Sequence, residues 1–170
     1  MRALSGKVSV VLLAALLLSA CGTPGRDTPA AAPASSKPQV AAPSVDVGLC
    51  GSADAGQVGT QSGLGAVTLV SSDALLCRWE AQDGSSVTFR WFRGSPIDRY
   101  HSDTATSVKR DGVDIVGRSG YSWRGAHSCE AAVPTGDADF IAWTVDSAAA
   151  TPDAACAAVD RLASATLAKG

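Results

Sequence analysis

Histidine is nearly absent from this chain: His101 and His127 are the only two in 170 residues, so a proton shuttle working near neutral pH has few places to stand. His101 lies near Asp98 and Asp103 on a predicted helix, where a solvated face accounts for it. His127 precedes Cys129 at the entry to a strand and reads as a surface imidazole. No GxSxG, HExxH or SxxK pattern occurs, and neither GxGxxG nor GxxxxGK[ST] can be read in the glycine-rich stretches, so the common nucleophile, zinc-protease and phosphate-loop signatures are missing. No CxxC pair or Cys/His cluster argues for zinc. Lys and Arg number 14 against 16 Asp and Glu and are scattered along the chain, which gives no basic face on which a nucleic acid could release its counterions. Asp and Glu sit mainly at turns, where they serve the backbone. Aromatic residues make up 5%, so the core is modest and covalent staples matter. These scarcities predict no metal, no cofactor, no nucleic-acid partner and no catalytic residue.

What is present begins with an address. Arg2 and Lys7, the apolar run Val8 to Leu18 and the small residues Ser19 and Ala20 follow the order of a secretory signal peptide. The run is too short to span a bilayer. Leu18-Ser19-Ala20-Cys21 resembles the lipobox of bacterial lipoproteins, and the resemblance implies cleavage after residue 20 and lipidation, including palmitate, on Cys21. Removal of residues 1–20 would take Arg2 and Lys7 with it and move the formal charge from −2 to −4. Residues 21–47 then form a tether: Pro24, Pro29, Pro33, Pro38 and Pro43 stand among Ala, Ser and Thr and deny the backbone both helix and ladder bonds. Such a segment reaches on the order of 80 Å when polyproline-like and roughly 30 Å as a coil. Its Ser and Thr residues offer O-glycosylation sites, with a plain spacer as the simpler reading.

Residues 48–170 read as the globular domain. Residues 50–58 offer a short helix, against which Gly51 and Gly56 count; Gly56 to Gly65 holds four glycines and is expected to be a mobile surface loop, with a ligand-covering loop as the alternative, and Ala66 to Val70 a strand. Leu75 to Ala81 and Ser85 to Phe92 both alternate around Gln82-Asp83-Gly84 and predict a hairpin. A three-residue loop with Gly84 left-handed pairs Trp79 with Val87, Cys77 with Phe89 and Leu75 with Trp91, gathering one apolar face. The other face carries Arg78, Glu80, Thr88 and Arg90. Ser95-Pro96 opens a helix toward Asp103. Val113 to Val116 is a strand that Gly117 and Gly120 break, Ser128 to Val133 is another, and Asp139 to Val145 is apolar on both parities, as a central strand requires. Thr151-Pro152-Asp153 caps a C-terminal helix whose stripe is Cys156, Val159, Leu162, Ala163 and Leu167. The expectation is an α+β fold: an antiparallel sheet of about five or six strands with the C-terminal helix packed on one face. A small β-sandwich with a helical appendage is the alternative.

Besides Cys21 there are four cysteines, Cys50, Cys77, Cys129 and Cys156. In an exported chain they read as two disulfides, for which three pairings exist. The lipobox, the tether, Cys50, the Cys77-Arg78-Trp79 opening of a hairpin, Cys129 before a turn and central strand, and Cys156 on a terminal helix together resemble the domain of unknown function 3558 family of cell-envelope lipoproteins, over about residues 48–168. The resemblance implies the pairs Cys50–Cys77 and Cys129–Cys156. Ectodomains of some bacterial envelope kinases resemble the same stapled plan, which keeps sensing in view. The function expected is a non-catalytic binding or sensing module of the cell envelope, lipid-anchored on the extracytoplasmic face of the cell membrane, whose partner is an envelope protein or small molecule. An envelope hydrolase with a carboxylate site is the rival. Tyr121, Trp123 and Arg124, between Gly120 and Gly125, are the candidate ligand platform, because aromatic faces bind sugars and apolar groups; core packing is the stronger reading of Trp123 taken alone.

Overall fold

Strand alternation builds the domain outward from one hairpin. β2 (Leu76–Ala81) and β3 (Ser86–Phe92) pair Trp79 with Val87 and Cys77 with Phe89, and the Trp91 amide donates to the Leu75 carbonyl at 2.8 Å. This is the register expected from a three-residue turn, with Gly84 at φ 83°. The turn is tied by Asp83, whose carboxylate accepts from the Ser85 amide at 2.9 Å and hydroxyl at 3.1 Å; these bonds, the backbone one foremost, hold its pKa below the ordinary value. The computed structural model describes residues 44–104 and 110–170, without the side chains of 102–104 and 110. The expected signal peptide, Cys21 and nearly all of the tether lie outside the described residues.

Seven strands form one antiparallel sheet in the order β1-β2-β3-β7-β6-β5-β4. The others are β1 (Val67–Ser72), β4 (Arg110–Ile115), β5 (Arg118–Arg124), β6 (Ser128–Pro134) and β7 (Phe140–Asp146). The expectation of five or six strands is therefore corrected to seven, and the sandwich alternative is not adopted. The additional strand is β5, where Gly117 and Gly120 were expected to break the chain. Instead Val116 and Gly117, both at positive φ (55° and 73°), make a two-residue hairpin turn between β4 and β5. Gly120 is buried within β5 because the Ala132 carbonyl lies where its side chain would be, 2.2 Å from an ideal Cβ.

β7 occupies the middle of the sheet between β3 and β6, which explains its apolar character on both parities. One face is covered by α3 (Pro152–Leu167), capped by the Thr151 hydroxyl on the Ala154 amide at 3.2 Å and started by Pro152. Its stripe of Ala155, Ala158, Val159, Leu162 and Ala163 is buried. Beneath it Trp79 stacks on Trp143 at 5.8 Å between ring centroids and Phe89 tilts against Trp143 at 5.0 Å. Each fully buried large side chain contributes about 1.5–3 kcal/mol of apolar transfer.

Two disulfides staple this layer. Cys50, in a 3-10 turn at Leu49–Ser52, joins Cys77 on β2, and Cys129 on β6 joins Cys156 on α3, the pairing the resemblance implies. Each closes a separation of 27 residues and contributes roughly 3–4 kcal/mol in the chain-entropy account. Between the turn and β1, the glycine-rich stretch departs from its expected loop: α1 (Ala55–Ser62) forms there, later in the chain than the short helix offered over 50–58. Asp54 and Gln57 make a reciprocal capping box, Asp54 accepting from the Gln57 amide at 2.8 Å and the Gln57 side chain accepting from the Asp54 amide at 3.3 Å. Val58 is fully buried, and Arg161 Nε of α3 donates to the Gln61 carbonyl at 2.9 Å. Caps and docking together outweigh the helix cost of about 1 kcal/mol per glycine. Packing also reaches back beyond residue 48: Val47 is fully buried, and the Val45 amide donates to the Thr135 carbonyl at 2.8 Å.

Candidate ligand-binding face

The pairing registers decide which side chains share the sheet face opposite α3. Thr88 pairs with Thr144, Thr144 with Glu130 and Glu130 with Trp123, so these four stand in one row across four strands. The next row runs Arg90, Ala142, Ala132, Tyr121, and the next Phe92, Phe140, Pro134. Because side chains alternate, Tyr121 and Trp123 lie together on this face and Arg124 on the other. The structure thus brings two of the three platform residues together and separates the third. Arg124 is exposed and pairs with Asp153 in the first turn of α3, where the carboxylate also suits the helix N-terminus. Trp123 is half-buried, its ring edge against Gly125, where an ideal Cβ would stand 3.2 Å from it.

Part of the face is covered by α2 (Ile97–Thr104). Ile97 and Tyr100 pack on Ala132, Phe140, Ala142 and Phe92 in a second, smaller apolar cluster. Phe92 stacks on Phe140 at 4.2 Å, and Tyr100 lies 5.1 Å from each. From this clamp the Tyr100 hydroxyl donates to Glu130 Oε1 at 2.7 Å, while the Thr144 hydroxyl donates to Oε2 at 3.2 Å. Glu130 is only 8% exposed, so a buried carboxylate is met by a hydroxyl donor on each oxygen, as burial of a charge demands. On the neighbouring residue, the His101 ring stacks on Tyr121 at 4.0 Å with planes 22° apart, and the Tyr121 hydroxyl donates to Asp98 at 3.1 Å. Burial first, and then the Asp98 carboxylate at its hydroxyl, raise the Tyr121 phenol above its ordinary 10.0. His101 is thus engaged by its ring rather than solvated, whereas His127 is exposed.

Glu130, Tyr100 and Thr144 are absent from the platform read in the sequence. The signal that could have found Glu130 is a lone charge in Cys129-Glu130-Ala131-Ala132-Val133, a segment otherwise apolar on both parities. Among the described residues, no group of three or more His, Cys, Asp and Glu is placed to hold a metal ion. Away from this face, a cavity of about 330 Å³ opens between the end of α1, the β2–β3 turn and the start of α3. Three of its polar side chains are engaged from outside the lining: Asp83 accepts from the Ser85 hydroxyl, whose oxygen shares a hydrogen bond with the Ser147 hydroxyl at 3.0 Å, and Arg161 donates to the Gln61 carbonyl.

The stapled sheet, the Cys77-Arg78-Trp79 hairpin and the terminal helix bearing Cys156 coincide with a family pattern. The family model described as Protein of unknown function (DUF3558) matches residues 16–169. The chain belongs to this family. No curated protein and no solved structure matches it. The family match takes in both disulfides and the whole of the face described above, and it starts ahead of Leu18-Ser19-Ala20-Cys21.

Proposed function

We propose that this protein is a lipid-anchored, extracytoplasmic binding or sensing module of the cell envelope, and that the α2-side face around Tyr121, Trp123 and Glu130 receives its ligand. The anchor reading is supported by the signal-peptide order of residues 1–20 and by a family match that spans the Leu18–Cys21 motif. Two acyl chains, at about 0.8 kcal/mol per buried methylene, hold a protein to a membrane stably. The binding reading is carried by one observation: a half-buried indole stands in register with a buried, hydroxyl-ringed carboxylate on a face that α2 covers only in part. An aromatic surface beside fixed polar groups suits a small envelope component with hydroxyls along an apolar face, such as a glycan or a glycolipid headgroup.

Asp98 and Glu130 both reach this face and keep a hydrolase reading alive as the second one. Each is engaged by a tyrosine hydroxyl that fastens α2, which favours the binding role. The anchor is tested by metabolic labelling with a tagged fatty acid: wild-type chain takes up label and Cys21→Ser does not. In-cell crosslinking of the tethered protein beside its Trp123→Ala variant tests the face. An unchanged set of captured molecules would reject it, and turnover of an envelope glycan by the purified protein would reject the non-catalytic class.

A further inference from the structure

The two edges of the sheet are built differently. β4 closes one edge with the sequence Arg110-Asp111-Gly112-Val113-Asp114-Ile115, and both of its aspartates are exposed. β1 closes the other with Val67-Thr68-Leu69-Val70-Ser71-Ser72, which has no charge and no proline, and all but its first residue are exposed. Of the five exposed large hydrophobics among the described residues, three lie at this edge, Leu69 at 44%, Val70 at 51% and, just past the β1–β2 turn, Leu75 at 48%; the other two are Leu49 and, in the β4–β5 turn, Val116. An edge strand presents unpaired backbone donors and acceptors, and soluble proteins blunt such edges with charge, proline or a cover. The β4 edge is blunted in this way. Among the described residues the one such device at β1 is a bulge, because the register with β2 shifts between Leu69 and Ser71 and leaves Val70 without a partner.

We propose that β1 is a self-association edge, pairing antiparallel with β1 of a second copy of this chain across a two-fold axis. Antiparallel self-pairing sets the strand against itself, so every cross-copy pair is drawn from six uncharged residues and no like charges confront one another. At β4 the same operation would bring Asp111 and Asp114 of two copies into one ladder. The pairing is therefore isologous and closes at two copies, since the far edge of each sheet repels its own kind. The Val70 bulge confines it to a short ladder, which makes the dimer weak and concentration-dependent. On a membrane, the anchor proposed above would raise the local concentration, but the pairing itself does not depend on that anchor.

The test uses the full chain in a membrane preparation, with a photoreactive residue in place of Thr68, and separately the chain with Cys21→Ser in solution, examined by sedimentation equilibrium. The expected results are a covalent adduct between two copies, mapped to residues 67–72 of each, and a reversible dimer in solution. Leu69→Lys should weaken dimerisation at least about tenfold, the effect of roughly 1.4 kcal/mol, and Val70→Pro should act in the same direction. Circular dichroism of both variants verifies that they fold, and a photoreactive residue at Asp111 should give no self-adduct. A wild-type chain that stays monomeric, an adduct with a different protein alone, or a dimer indifferent to both substitutions would overturn the proposal. Because the sedimentation arm lacks the lipid, a failure of the anchor reading leaves its result intact.

Discussion

Trp143 on β7 donates its indole N–H to the hydroxyl of Thr166 on α3 at 3.1 Å, and that hydroxyl donates onward to the Leu162 carbonyl at 3.0 Å. Both residues are essentially buried, so this short relay is how the sheet accommodates a polar atom of its largest core side chain under the helix. A contrasting threonine lies at the β6–β7 turn: Thr135 is 1% exposed, and among the described residues its hydroxyl has no hydrogen-bond partner. The same substitution should therefore act with opposite sign at the two sites. Thr166→Val strands the indole donor and should destabilise the fold by about 1–3 kcal/mol. Thr135→Val removes an unsatisfied buried hydroxyl and should stabilise it by roughly 1 kcal/mol. Urea unfolding midpoints at constant slope decide between these signs.

Val116 is a second point of strain. It is β-branched, 60% exposed and held at φ 55° in the β4–β5 turn, a conformation that costs a non-glycine residue roughly 1–2 kcal/mol. Asparagine tolerates this region and belongs before glycine in such turns. Val116→Asn should raise stability by about 1 kcal/mol and leave the rest of the fold unchanged. Thermal denaturation monitored by far-ultraviolet circular dichroism would show a higher midpoint, and an unchanged or lower one would deny that the turn is strained.

Where local pattern and tertiary arrangement agree, the structure was legible in advance. The Trp79–Val87 register follows from loop length and parity, the α3 start from Thr151-Pro152, and the central place of β7 from its two apolar parities. Strand β5 was hidden because a glycine buried by a neighbouring carbonyl looks like a glycine that ends a strand. α1 was legible only as a short helix over 50–58, shifted from its true span because its glycines read as loop, although Asp54 and Gln57 at capping-box spacing signal its start. Parity alone separates Arg124 from Tyr121 and Trp123, but only once β5 is known to be a strand. Glu130 and Tyr100 lie thirty residues apart, and nothing local to either predicts that α2 will dock over β6.

Gly51 tests how tightly the 3-10 turn is pressed onto the core. It sits at φ +67°, and an ideal Cβ there would lie 2.8 Å from Trp143 Cζ2, 3.0 Å from Thr166 Oγ1 and 3.1 Å from Phe89 Cε2. Gly51→Ala combines left-handed strain with overpacking and should cost about 2–4 kcal/mol. Gly84→Ala is the control, at φ +83° with nothing near its Cβ, and should cost only the strain of roughly 1–2 kcal/mol. Equal losses at the two positions, measured by chemical denaturation, would show that the turn is not in close contact with Trp143.

The Tyr121–Asp98 bond offers a titration that reports on the candidate face itself. Burial and the adjacent carboxylate both disfavour the phenolate, so the folded pKa stands above the unfolded value of about 10. The contribution to stability is therefore full below pH 10 and is lost as the pH rises through the folded pKa, because the unfolded chain releases this proton first. In a Tyr100→Phe background, which leaves Tyr121 as the sole tyrosine, phenolate absorbance should titrate above pH 10. Asp98→Asn should shift that midpoint downward while leaving the burial contribution in place. Since the Asp98 carboxylate joins α2 to β5, the same substitution should speed amide exchange along Ile97–Thr104 without altering exchange in α3. A titration midpoint insensitive to Asp98→Asn would mean that this carboxylate does not hold the phenol and that α2 is fastened to the sheet by its other contacts, the packing of Ile97 and Tyr100 and the His101 ring on Tyr121.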